Sequence, residues 1–140
     1  MRVGITLPQF RPSPDEALAA AAEAERVGLD GVFVFDHLWA IGQPDRPALS
    51  WLPLMGALAV ETSQVVVGSL VARVGLMADA VLVHAFETLQ RMLGDRLVAG
   101  LGAGDRLSVA ENEAYEVAYP RAAERLARLA AAAARTRDLG

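Results

Sequence analysis

Residues 31–37 read Gly31-Val32-Phe33-Val34-Phe35-Asp36-His37. An unbroken apolar run, with no alternation of polar residues, describes a strand covered on both faces, as in a parallel sheet. It stops at two side chains that bind and release protons. The carboxyl end of a parallel strand is where barrel enzymes gather their reacting groups. Working outward, the same pattern recurs. Val3-Gly4-Ile5-Thr6-Leu7 runs into Pro8, which cannot donate to a sheet ladder. Val65-Val66-Val67-Gly68-Ser69-Leu70-Val71 and Leu97-Val98-Ala99-Gly100-Leu101 are further buried strands. The four begin at residues 3, 31, 65 and 97, at intervals of 28, 34 and 32 residues. Such intervals suit βαβ units, which take about 30 residues or more.

Helical segments fill the intervals. Ser13-Pro14-Asp15-Glu16 combines a capping serine, a proline suited to the first helical position and the glutamate of a capping box. Gly28 is a natural stop for that helix. A long loop with Gly42, Pro44 and Pro47 then leads to a shorter helix over about residues 53–60. A third helix spans 78–93 and closes at Gly94, and a fourth, rich in Ala, Leu and Arg, runs from Pro120 to about Arg137. The expected fold is α/β, one domain over residues 1–140, built of four β-α units. A doubly wound sheet would carry its ligand loop at the first βα turn. Here that turn is Pro8-Gln9-Phe10-Arg11-Pro12, without glycine. The candidate residues follow strands two, three and four, as in a barrel.

Composition narrows the function. The net charge is −4 and the pI is near 5.1, against a nucleic-acid partner. All 13 basic residues are Arg, which excludes the lysine of a phosphate-binding P-loop. The chain has no Cys, so disulfides, thiolate metal sites and a cysteine nucleophile are excluded. Apolar residues make up 54%, yet the most hydrophobic stretch, Val65 to Phe86, is interrupted by Arg73 and Asp79. No membrane span is expected. The opening Met1-Arg2-Val3-Gly4-Ile5 lacks the apolar core of a signal peptide, so a cytoplasmic location is expected.

Three groups can carry chemistry. His37, with a side chain that titrates near neutrality, can give or take a proton, and Asp36 can orient it or bind a ligand; the plainer reading is a loop cap beside a surface histidine. In Gly100-Leu101-Gly102-Ala103-Gly104-Asp105, alternate glycines let backbone approach a flat or charged ligand. Asp105 would share a barrel rim with His37, or be a solvated turn residue. Arg73, after the glycine-containing third strand, can fork onto a phosphate or carboxylate ligand, or pair with an acid at the sheet edge. Three further readings are structural. His84, among Val81, Leu82, Val83 and Phe86, reads as a packed core histidine. Trp39 and Trp51 line a pocket or pack the long loop. The arginines at 121, 125, 128, 135 and 137 read as a solvated face, with Glu124 and Arg128 an i,i+4 pair.

Taken together, the chain resembles the luciferase-like monooxygenase superfamily, and within it the branch that uses the deazaflavin coenzyme F420. The landmarks are Gly4-Ile5-Thr6-Leu7-Pro8; Gly28-Leu29-Asp30-Gly31 leading to Asp36-His37; and Val65 through Val71. Thr88-Leu89, Asp95-Arg96-Leu97 with Gly100-x-Gly102-x-Gly104, and Glu111-Asn112-Glu113-Ala114-Tyr115 complete the set. The resemblance implies a (β/α)8 TIM-type barrel, of which this chain carries the first four β-α units. It implies that Asp36 contacts the coenzyme and that His37 donates a proton. It implies a bulge with a non-proline cis peptide near Leu70-Val71, which supports the ring. Ala103 and Gly104 would supply backbone contacts, and Arg73 and Ser108 fall at coenzyme-contacting positions. Asp105 falls where members that oxidise a sugar phosphate have a longer Glu as base.

The expected activity is hydride transfer between F420 and a small organic substrate, with His37 and Asp105 handling protons and no metal involved. The alternatives are an FMN-dependent monooxygenase of the same superfamily, and a non-catalytic cofactor binder or half-barrel assembly module. Two open parallel edges and an inner face lined by residues such as Ile5, Val32 or Val34 would lack cover. The chain is therefore expected to pair, as a homo-oligomer or with a complementary half-barrel.

Overall fold

The computed structural model describes residues 1–139. The chain runs β1 (Gly4–Thr6), α1 (Asp15–Arg26), β2 (Gly31–Val34), a hairpin of β3 (Trp39–Ala40) and β4 (Gln43–Pro47), then α2 (Trp51–Glu61). It continues with β5 (Val66–Ser69), β6 (Ala72–Arg73), α3 (Asp79–Leu93), a 3-10 turn (Gly94–Arg96), β7 (Leu97–Val98), β8 (Leu101–Gly102), α4 (Ser108–Ala114) and α5 (Ala122–Arg137). The main sheet has four parallel strands in the order β1-β2-β5-β7; the spacing predicts the β-α units, and the sequential order is that of the barrel reading. Sequential strands are neighbours, so the sheet grows in one direction like the wall of a barrel. Among the described residues no helix is long and apolar enough to cross a membrane.

Register assigns the two faces. Ile5, Val32, Val67 and Leu97 form one row across the sheet, and Thr6, Phe33, Gly68 and Val98 the next. Val32, Val34 and Val67 are fully buried against Ala17, Ala21, Leu54, Leu58, Leu82 and Phe86 of the helices. The helix side is therefore the Val32–Val34 side, not the inner face predicted for these residues. A run apolar at every position does not say which side meets the helices. The inner face instead carries Phe33, whose ring lies over the backbone of its neighbours: a Cβ on Gly68 would come within 2.8 Å of it.

The helix ends follow the predicted stops more closely than the starts. Gly28 has φ +79° just past α1, and Gly94 has φ +58° at the end of α3. At the start of α1, Asp15 N–H reaches Ser13 Oγ at 3.3 Å, but Glu16 pairs with Arg11 at 2.9 Å instead of closing a capping box. The predicted loop after Asp36-His37 contains the β3–β4 hairpin, and α2 begins at Trp51. The fourth predicted strand is divided into β7 and β8.

Three single-residue readings are corrected. His84 lies on the solvent side of α3, 72% exposed, because Leu82, Val83, Phe86, Leu89 and Leu93 take the inner stripe. Trp51 is a core residue whose ring lies tilted against Phe86, centroids 5.3 Å apart, while Trp39 meets Tyr115 at 6.2 Å. Arg125 and Arg128 do not join a free solvated face. Arg128 forks onto Asp79 of α3 at 2.9 Å, and Arg125 lies over the Tyr119 ring and donates to the carbonyls of Ala103 and Pro120.

Two polar devices fix the sheet. Glu25 of α1 accepts from the backbone N–H groups of Ser63, Gln64 and Val65 at 2.7–3.2 Å, while Arg96 donates to the carbonyls of Thr62 and Val65. The turn between α2 and β5 is thus held from both ends of its peptide dipoles. Near β1, Pro8 ends the ladder and the Gln9 side chain takes its place. Gln9 Oε1 accepts from Phe35 N at 2.6 Å, and Nε2 donates to the carbonyls of Phe35 and Leu49 at 2.6 and 2.5 Å.

Candidate active site

The strands deliver their carboxyl ends to one rim, where β6 and β8 form a second, two-stranded parallel sheet. The link from β5 to β6 contains the non-proline cis peptide Leu70-Val71, at the position the resemblance implies. The alternate glycines receive this link. A Cβ on Gly100 would overlap the Ser69 carbonyl, and one on Gly102 would overlap the Val71 side chain. Ser69 Oγ donates to the Gly100 carbonyl at 2.7 Å. These two glycines therefore admit a neighbouring segment of the chain, where the sequence reading has them admit a ligand. Gly104, with φ +75°, turns the chain toward α4.

A cleft of about 260 Å³ opens on this rim, lined by Asp36, His37, Leu70, Val71, Arg73, Gly104, Asp105 and Ser108. Of the residues singled out in sequence, it brings together all but Ala103. That residue lines an adjoining hollow, where its carbonyl accepts from Arg125 Nε at 3.0 Å. Leu70 is 48% exposed and gives the cleft an apolar surface between polar walls.

Asp36 is buried, and its Oδ2 accepts from Arg73 N at 2.7 Å. Burial raises its pKa above the ordinary aspartate value, and the Arg73 amide and guanidinium and the neighbouring His37 pull it back only in part. Arg73 is equally enclosed. Its Nε donates to the Asp36 carbonyl at 2.9 Å, Nη2 to Glu111 Oε2 at 2.5 Å and Nη1 to Asn112 Oδ1 at 3.3 Å. Of the two roles open in sequence, pairing with an acid is the one observed.

Asp105 turns out to start α4. Its Oδ1 accepts from the backbone of Leu107 at 3.0 Å and of Ser108 at 3.3 Å, and Ser108 Oγ receives the Asp105 N–H at 3.2 Å. Its Oδ2 accepts no hydrogen bond among the described residues. Glu111 is the residue that sequence reasoning passes over. It is buried on α4, 2.8 Å from His37 Nδ1. Its signal was an acid inside the landmark Glu111-Asn112-Glu113-Ala114-Tyr115, on a helix too short to display a period.

The donor set suits a flat heteroaromatic ring with polar edges. Leu70 and Val71 offer an apolar surface, and Asp36, His37, Ser108 and Asp105 offer groups for a rim of ring nitrogens and carbonyls. Among the described residues no cluster of three acidic or histidine side chains is placed to hold a metal ion.

Comparison with known proteins bears on this site. A family model described as luciferase-like monooxygenase matches residues 1–139. The chain belongs to the luciferase-like monooxygenase family. Within that family, an F420-dependent glucose-6-phosphate dehydrogenase of Nakamurella multipartita is 36% identical over 122 residues, which is 86% of this chain and 34% of the relative. The chain thus spans about a third of the length of that relative. A solved F420-dependent secondary alcohol dehydrogenase, in complex with an F420-acetone adduct, superposes with TM-score 0.77 at 24% identity, covering 98% of this chain and 42% of that one. The FMN-bound oxygenating constituent of 3,6-diketocamphane monooxygenase from Pseudomonas putida superposes with TM-score 0.69 at 21% identity, covering 82% and 32%. These structures carry the luciferase-like barrel, and the four β-α units seen here are a partial barrel of that fold.

Proposed function

We propose that the protein is an F420-dependent oxidoreductase, or the cofactor-binding part of one, acting on a small organic substrate. The observation that carries this reading is the gathering of Asp36, His37, Leu70, Val71, Gly104, Asp105 and Ser108 around one cleft at the carboxyl ends of parallel strands. The deazaflavin, when bound, supplies the hydride chemistry, and the protein supplies binding, orientation and protons. Leu70 and Val71 support the ring, while Asp36 and Ser108 contact its polar edges. His37 exchanges a proton with the substrate, and Asp105 meets the substrate through its free Oδ2. Arg73 and Ala103 act one layer back, Arg73 by aligning Asp36. The sheet edges at β1 and β7 and the exposed inner face bearing Val98 support a second copy or a complementary half-barrel as partner.

Titrating the purified protein with F420 and, separately, with FMN tests the reading. Saturable quenching of F420 fluorescence is expected, together with turnover that His37→Ala lowers at least a hundredfold. Binding of FMN alone would transfer the protein to the monooxygenase alternative. Binding of neither would overturn the reading in favour of an assembly module.

A further inference from the structure

Glu111 takes no part in the reading above, yet it is the most enclosed acid near the cleft. Its side chain is 2% exposed. Oε2 receives Arg73 Nη2–H at 2.5 Å and the Leu38 backbone N–H at 3.4 Å. Oε1 stands 2.8 Å from His37 Nδ1. A carboxylate facing a guanidinium and a peptide amide is an acceptor on that side, and its charge is matched by Arg73. The proton between Oε1 and Nδ1 therefore sits on the imidazole. His37 Nε2 has no partner among the described residues, and the ring lines the cleft.

The geometry points to Glu111 as the positioning residue of His37, holding the imidazole as its Nδ1–H tautomer so that Nε2 alone exchanges protons with whatever occupies the cleft. When Nε2 takes a proton, the imidazolium charge lies against Glu111; when it gives the proton up, the ring returns to the same tautomer without turning. Three elements meet in this device: His37 follows β2, Arg73 belongs to β6 and Glu111 to α4. The other charged groups facing the ring are Asp36 beside it and Arg73 behind Glu111, and Asp105 lies across the cleft. Phe35 packs at 6.4 Å on the remaining side. The inference rests on the proposed proton-handling role of His37.

Ring nitrogen NMR on the purified protein tests it. The chain has two histidines, and exposed His84 serves as an internal reference. Neutral imidazole in water favours the Nε2–H tautomer. His37 is expected to show Nδ1–H instead, and His84 the ordinary pattern. In Glu111→Gln the single amide oxygen is claimed by Arg73 and the Leu38 N–H, which turns the amide NH2 toward Nδ1; the His37 tautomer should then reverse to Nε2–H, while His84 is unchanged. An Nε2–H tautomer at His37 in the unaltered protein would overturn the assignment, and so would a Glu111→Gln protein whose His37 tautomer is unchanged. The first measurement needs no variant, so a variant that fails to fold leaves the question decidable. Neither measurement uses F420: failure to bind F420 overturns the cofactor reading, and a wrong tautomer overturns only the role of Glu111.

Discussion

At Asp36 two forces oppose each other. Burial favours the neutral acid, and the Arg73 amide and guanidinium favour the carboxylate; burial is the larger, so the pKa is raised. A group that binds its proton more tightly in the folded chain contributes stability below its unfolded pKa and loses it as pH rises through the folded value. Ionised Asp36 therefore works against the fold at neutral pH. Asp36→Asn keeps an oxygen for the Arg73 N–H and removes the buried charge. Thermal unfolding should place this variant above the parent at pH 7, with the advantage shrinking toward pH 4. Its F420 affinity should move the other way, by about tenfold (~1.4 kcal/mol), the trade expected where a site is held against its own stability. Asp36-His37 was readable in the sequence because a strand ends there. Glu111 was not, since 74 residues separate it from its histidine and no local pattern links them.

The turn between α2 and β5 is a device of elements, with Glu25 of α1 on its amides. Those amides hold the Glu25 carboxyl down at about 2, from an ordinary 4.5. A depressed folded pKa gives stability that is present above about 4.5 and is lost as pH falls from there toward about 2. Glu25→Gln should lower stability at pH 7 by about 1 kcal/mol after allowance for solvent screening, or about 3 °C in Tm. Differential scanning calorimetry should find the gap nearly closed at pH 2. The main strands and the helix stops were legible here because apolar runs and glycines act locally. The β3–β4 hairpin, α4 and the docking of α5 through Arg125 and Arg128 were not. The α5 arginines bond to Asp79 and Ala103, distant in sequence, and a two-residue strand or seven-residue helix is too short to show a period.

For the whole molecule the question is what covers the inner face. Val98 is 42% exposed, and β1 and β7 are edges of the four-stranded sheet. Light scattering at tens of micromolar should therefore return a multiple of 14.8 kDa. Val98→Asp, a charge set on the uncovered face, should shift the mass to that of one chain while the far-UV spectrum holds. A parent protein that is already monomeric would refute the pairing. The parallel sheet was legible from its apolar strands. The face each strand turns inward emerged only from register, because Val32 and Phe33 are equally apolar and differ only in the neighbours the sheet allows them.

The glutamine that follows the first strand has one more consequence. A side-chain amide there stands in for a peptide unit, so the seam between the first two strands is carried one step past the point where proline ends it. The chain leaving the second strand is consequently pinned, one residue before Asp36, to the segment ahead of α2 by a single buried amide. Trimming that side chain to alanine would strand two carbonyls and an N–H in the interior at once, so one residue underwrites the placement of two neighbouring loops.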